Sequence, residues 1–156
     1  MKEQTAILPR LPIIGVVKLT TLDEEKITLI EVLKDTQDLK DKDLTPFFHD
    51  CFTKLKYYLE GQSQSLHIAV DLKGLSPFQQ QVLEAMRHIP YGEKRTYKDL
   101  AHAMGTKAYQ AIGSACGKNP FLLIYPCHRV IGTKGPGGFA HGLEMKKKLW
   151  ELESKT

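Results

Sequence analysis

No stretch of the 156 residues approaches the ~18 consecutive apolar positions that a membrane-spanning helix needs. Cysteine is scarce: the three at 51, 116 and 127 form neither a disulfide framework nor a Cys-x-x-Cys pair. The six histidines show no zinc-finger or His-Glu-x-x-His spacing, so neither a metal site nor a cofactor motif is expected. Low-complexity tracts are missing, and 42% hydrophobic with 26% charged residues is an ordinary globular balance. The N-terminus lacks a charged segment leading into an apolar stretch and a small-residue cleavage site, so a cytoplasmic location is expected.

Charge, by contrast, is present and uneven. Residues 1–75 carry 10 Lys+Arg against 12 Asp+Glu, whereas residues 76–156 carry 12 against 6. A basic half beside a mildly acidic one suggests that only the second faces a polyanion. The length suits one domain or two small ones, and the reading adopted is two, at 1–73 and 74–156.

The pattern predicts an α+β fold. In the first part, Pro12–Thr20 and Lys26–Leu33 read as a β-hairpin. A polar stretch follows at 34–43, then a helix from Thr45 to Leu59 with Phe48, Cys51, Phe52, Leu55 and Leu59 at helical spacing. His67–Asp71 reads as a further strand. The second part reads as mainly helical. Ser76-Pro77-Phe78-Gln79 supplies an N-cap serine, a proline at the first helical position and a glutamine at the third. Thr96 and Asp99 start a second helix that ends at Gly105, and a third runs from Lys107 to Cys116. Two short helices around a tight turn, in the basic half, form a helix-turn-helix candidate. Its second helix is slim (Ala108, Ala111, Gly113, Ser114, Ala115) and suits close approach to a nucleic-acid backbone.

The chemistry concentrates at Pro126-Cys127-His128-Arg129-Val130. A free cysteine, pKa about 8.5, is mostly protonated at neutral pH, so a nucleophilic one needs a base nearby, and His128 is the candidate. Neighbouring residues point to different sides, so a relay through one water is expected rather than direct contact. A carboxylate would hold the far imidazole nitrogen, and spacing leaves Glu144, Glu151 and Glu153 open. Gly132 to Gly142 holds five glycines and a proline in eleven residues, a loop able to wrap a flat ligand. The final helix, Leu143–Glu153, is expected to bury Leu149, Trp150 or Leu152 and to present Lys146, Lys147 and Lys148 to solvent. Cys51 and Cys116 read as small buried hydrophobes.

These motifs together, with Ile89-Pro90-Tyr91-Gly92, Ala111–Ala115, Asn119-Pro120 and Gly138-Phe139-Ala140, resemble the O6-alkylguanine-DNA alkyltransferase family. The resemblance is dense over 76–156 and one of character before that. It implies a ribonuclease-H-like first domain and a winged-helix-like second one. It implies a monomer, without cofactor, that enters the minor groove of double-stranded DNA, flips O6-alkylguanine out and takes the alkyl group irreversibly onto Cys127. O6-methylguanine is the main substrate implied, and O4-methylthymine a further one.

The roles implied are His128 as base through water, Glu153 orienting it, Asn119 bracing the turn and Tyr97 donating to guanine N3. Pro126, Val130, Phe139 and Ala140 would contact the base. Thr96, Gln110, Ala111, Gly113, Ser114 and Arg129 would contact DNA. Gln110 stands where the family has an arginine that fills the gap left by the flipped base, which predicts weaker binding or slower extrusion. Phe139 replaces a tyrosine, Leu152 a histidine, and His141 a glycine, with strain if position 141 needs φ > 0. The alternatives are a non-catalytic lesion sensor, a cysteine hydrolase and a transcription regulator. Cys127 beside His128 argues against the first, the helix-turn-helix against the second, and the lack of an effector or dimerisation segment against the third.

Overall fold

The computed structural model describes residues 2–34 and 43–154. Most of the polar stretch at 34–43 therefore lies outside the described residues. The chain divides into two compact units, Met1–Asp71 and Leu72–Thr156. The fold is mixed α+β, with a small antiparallel sheet and five α-helices among the described residues. Among the described residues no helix is long and apolar enough to cross a membrane.

The first unit holds a three-stranded antiparallel sheet, in spatial order β1 (Gln4–Ile7), β2 (Val17–Thr21), β3 (Ile27–Val32). The expected hairpin is there, but its first strand begins at Val17 rather than Pro12. Leu11 and Gly15 exchange backbone hydrogen bonds of 2.8 and 3.1 Å across a tight turn. Ile13 and Gly15 in that turn take φ of +66° and +78°, which no strand residue adopts. The β2–β3 turn is closed by the Asp23 carboxylate, which accepts from the amides of Glu25 and Lys26 at 2.9 Å each. His67–Asp71 makes only one bridge, Val70 beside Ile27, so it extends the sheet by a single pairing instead of a strand. Helix α1 (Pro46–Leu59) is capped by Thr45 and buries Phe48, Cys51, Leu55, Tyr58 and Leu59.

The second unit carries the helices. α2 (Pro77–Arg87) starts on Ser76, whose Oγ accepts from the Gln79 amide at 3.1 Å. Such a cap contributes about 1 kcal/mol. Its Val82, Leu83 and Met86 are fully buried, each worth about 1.5–3 kcal/mol. α3 (Tyr97–Met104) opens with the reciprocal Thr96–Asp99 capping box, at 3.0 and 2.9 Å, and ends on Gly105 at φ +69°. α4 (Tyr109–Gly117) begins two residues later than the sequence suggested, because the Thr106 hydroxyl accepts from the Ala108 amide and extends the turn. β4 (Arg95–Thr96) pairs in parallel with β5 (Val130–Ile131), which ties the start of α3 to the chain just after Cys127. α5 (Leu143–Ser154) closes the unit.

Candidate active site

Asn119 shapes the approach to the cysteine. Its Oδ1 accepts from the Phe121 amide at 2.9 Å and its Nδ2 donates to the Tyr125 carbonyl at 2.8 Å. Between these anchors Leu123 is held at φ +72°, a strain of about 1–2 kcal/mol for a non-glycine residue. Burial of Phe121, Leu122 and Leu123 offsets it. The chain then enters a single 3-10 turn, Cys127–Arg129, whose members are all buried.

His128 is fully buried and its Nε2 lies 2.6 Å from Glu153 Oε2. Nε2 therefore carries the proton it donates to the carboxylate, which leaves Nδ1 with a lone pair. Nδ1 is buried and has no hydrogen-bond partner among the described residues, an arrangement that costs stability unless it serves something else. Burial lowers the His128 pKa, and the Glu153 carboxylate only partly opposes this, so the imidazole is a neutral base. Glu153 is held in turn. It accepts from Arg129 Nε at 2.8 Å, from Arg129 Nη2 at 3.0 Å and from the Gly92 amide at 3.2 Å. A side chain at Gly92 would meet the Glu153 carbonyl at 3.0 Å, and φ there is +80°, so glycine permits this close approach. Trp150 Nε1 donates to the His128 carbonyl at 2.6 Å.

Cys127 opens onto a cleft of about 130 Å³. Tyr97 of α3, Gly113, Cys116 and Gly117 of α4, Asn119, and loop residues 138–141 form the rest of its wall. Burial raises the Cys127 pKa, opposed by a hydrogen bond from Asn119 and by the Lys146 cation. A resting thiol beside a neutral base follows. The loop wall is fastened from behind by Lys146, whose ammonium donates to the carbonyls of Pro136 (2.7 Å) and Gly138 (2.9 Å). From the other side the Tyr97 hydroxyl packs on the loop, so closely that a Cβ on Gly137 would meet it at 3.0 Å. Among the described residues, no cluster of three or more His, Cys, Asp or Glu is arranged to hold a metal ion.

Residues 77–155 match the family described as 6-O-methylguanine DNA methyltransferase, DNA binding domain. A methylated-DNA–protein-cysteine methyltransferase from Sulfurisphaera tokodaii is 47% identical, over 69% of this chain and 68% of its own length. A probable methylated-DNA–protein-cysteine methyltransferase of Acanthamoeba polyphaga mimivirus is 40% identical, over 83% of this chain and 91% of its own. The chain belongs to the methylated-DNA–protein-cysteine methyltransferase family. The Mycobacterium tuberculosis O6-methylguanine methyltransferase crystal structure aligns with 98% of this chain and 93% of that one, at TM-score 0.82 and 32% identity. The structure of Mycobacterium tuberculosis OGT in complex with DNA aligns with 96% and 92%, at the same TM-score and identity.

Against that family background, the positions singled out from sequence fall into three groups. Cys127, Asn119, Tyr97, Phe139, Ala140 and Gly113 meet at the cleft, and His128 and Glu153 stand behind Cys127. Of the three carboxylates left open, only Glu153 reaches the imidazole; Glu144 instead pairs with Lys148 at 3.4 Å. Thr96 caps α3, and Gln110, Ala111 and Ser114 lie on the exposed side of α4. Pro126 and Val130 are buried and do not line the cleft.

Two expectations need correction. Arg129 is 8% exposed; its guanidinium turns inward onto Glu153 and the Ile89 carbonyl, over the Tyr91 ring, instead of outward to DNA. Lys146 is fully buried, unlike exposed Lys147 and Lys148. Lys146, Leu149 and Glu153 recur at i, i+3 and i+7, so helical phase carried the signal that charge obscured. His141 does not take a positive φ, so the strain considered for it does not arise. Cys116 is buried as expected, yet it also faces the cleft, which sequence reasoning missed.

Proposed function

We propose that this chain repairs O6-alkylguanine in double-stranded DNA, chiefly O6-methylguanine, by irreversible transfer of the alkyl group to Cys127. The observation that carries this reading is a buried cysteine on a small cleft, with a neutral histidine fixed behind it whose Nδ1 has no partner among the described residues. Because Cys127 is only 8% exposed, a base stacked in a duplex cannot reach it and must be rotated out. The slim outer side of α4 suits approach through the minor groove, which carries little sequence information. O4-methylthymine, which presents a similar alkyl–oxygen bond, is a further substrate. The 1–73 segment acts as a ribonuclease-H-like domain and 74–156 as a winged-helix-like one, and the protein works as a monomer.

In the reaction, the Cys127 proton passes through water to His128 Nδ1, and Glu153 stabilises the imidazolium that forms. The thiolate attacks the alkyl carbon. A carbon–sulfur bond forms, the carbon–O6 bond breaks, and its electron pair stays on the guanine. Tyr97 donates to N3, and the Ala140 amide to O6, as that charge develops. The thioether product offers water no good leaving group, so each molecule acts once. The test is a titration of duplex DNA holding one O6-methylguanine. Lesion loss should stop at one equivalent of protein and vanish in Cys127→Ser. Continued turnover, or no loss with the native chain, would contradict the reading.

A further inference from the structure

We propose that Tyr109, at the first position of α4, is the side chain that enters the base stack where the reacting nucleotide leaves it. This rests on the DNA-repair reading above and specifies which group holds the opened duplex. Tyr109 lies four, seven and eight residues before Gly113, Cys116 and Gly117, the three α4 residues that line the cleft. Those intervals put it on the cleft face of the helix, one turn nearer the N-terminus. Side chains on a helix lean toward its N-terminal end, which directs the ring away from Gly113, Cys116 and Gly117 toward the start of the helix. Gln110, one residue on, is rotated by about 100° from Tyr109 and lies toward the edge of the same face, three and seven residues before Gly113 and Gly117.

Tyr109 is 43% exposed and is one of only three large hydrophobic residues left exposed among the described residues. Among the described residues its hydroxyl has no hydrogen-bond partner. Folding covers part of the residue and leaves the rest of the ring open to solvent. A use follows from the site: Cys127 is reached only by a base that has left the stack, and its departure leaves a gap between two flat base pairs. Proteins entering the minor groove commonly hold such a gap with an apolar or aromatic wedge, and aromatic rings stack on any base regardless of sequence. Glutamine at 110 has a planar amide but little stacking surface. The neighbouring Ala111 and Ser114 are small and exposed, so the helix can come close enough for a ring to enter.

The experiment compares single-turnover transfer from duplex O6-benzylguanine and from free O6-benzylguanine, in the native chain, Tyr109→Ala, Tyr109→Phe and Gln110→Ala. Free base needs no gap held open, so it isolates the wedge from the chemistry. Tyr109→Ala should lose about tenfold or more on duplex, or about 1.4 kcal/mol, while keeping free-base transfer within about twofold. Tyr109→Phe should retain duplex transfer, and Gln110→Ala should lose less than Tyr109→Ala. A 2-aminopurine beside the lesion should brighten when Tyr109→Ala binds, relative to the native chain, because nothing stacks on it. Equal duplex rates for native and Tyr109→Ala would overturn the proposal, as would an equal loss on both substrates. A larger loss in Gln110→Ala would overturn it in favour of position 110. No transfer from either substrate by the native chain would overturn the repair reading itself.

Discussion

Cys51 and Cys127 are both buried thiols, and burial raises both, yet only one is built to react. Cys51 shares the apolar face of α1 with Phe48, Leu55 and Leu59, and its pKa is pushed up to about 11. Cys127 is raised by burial too, so position in a low-dielectric interior works against the nucleophile in both places. What differs is the company. Cys127 has an amide from Asn119, a cation at Lys146, an open cleft, and a neighbouring imidazole whose free nitrogen can take a proton. Reactivity here is a property of the residues around the thiol, assembled from the turn after α4, the 3-10 turn and α5.

The largest way to break that contrast is to remove the base. His128→Asn should lower single-turnover transfer by about 10²–10⁴-fold, whereas Cys51→Ser should leave the rate unchanged. If His128→Asn reacts at the native rate, the thiol is activated by something other than the relay.

A smaller effect is expected from Lys146→Met, which keeps the side chain's length but removes the donors to Pro136 and Gly138. Two loop carbonyls lose their partner, so urea unfolding should show a loss of about 1–3 kcal/mol, together with slower transfer. Unchanged stability would mean that the loop does not need the clamp.

The smallest effect is in pH. His128 has a folded pKa below its ordinary value near 6.5, so between the two the unfolded chain binds more protons. Its contribution to stability is complete above about pH 6.5 and is lost as pH falls through the folded pKa. Urea midpoints measured from pH 8 downward should stay level and then drop, and the drop should shrink in His128→Asn. A midpoint that rises on acidification would contradict the neutral buried imidazole.

Local chemistry explains what could be read in advance. Ser76, Thr96, Asp99 and Gly105 mark helix ends through bonds to residues three or four positions away, Pro77 marks one through its fixed φ, and each mark held. The site's own logic is long-range. Glu153 is 25 residues from His128, so spacing could not choose it over Glu144 or Glu151, and only family resemblance pointed to it. Arg129 and Lys146 were misplaced for one reason: a charge suggests solvent unless its buried partners are known. Those partners are a carboxylate from another helix and carbonyls from an irregular loop. The strand expected from Pro12 failed because its β-branched run contains a turn that only backbone angles reveal.

The most direct test of the central claim uses the three thiols of one molecule as mutual controls. After reaction with duplex O6-methylguanine, peptide masses should show one methyl group on the Cys127 peptide and none on those holding Cys51 or Cys116. A methyl on either of the other two, or lesion loss with all three unmodified, would contradict it.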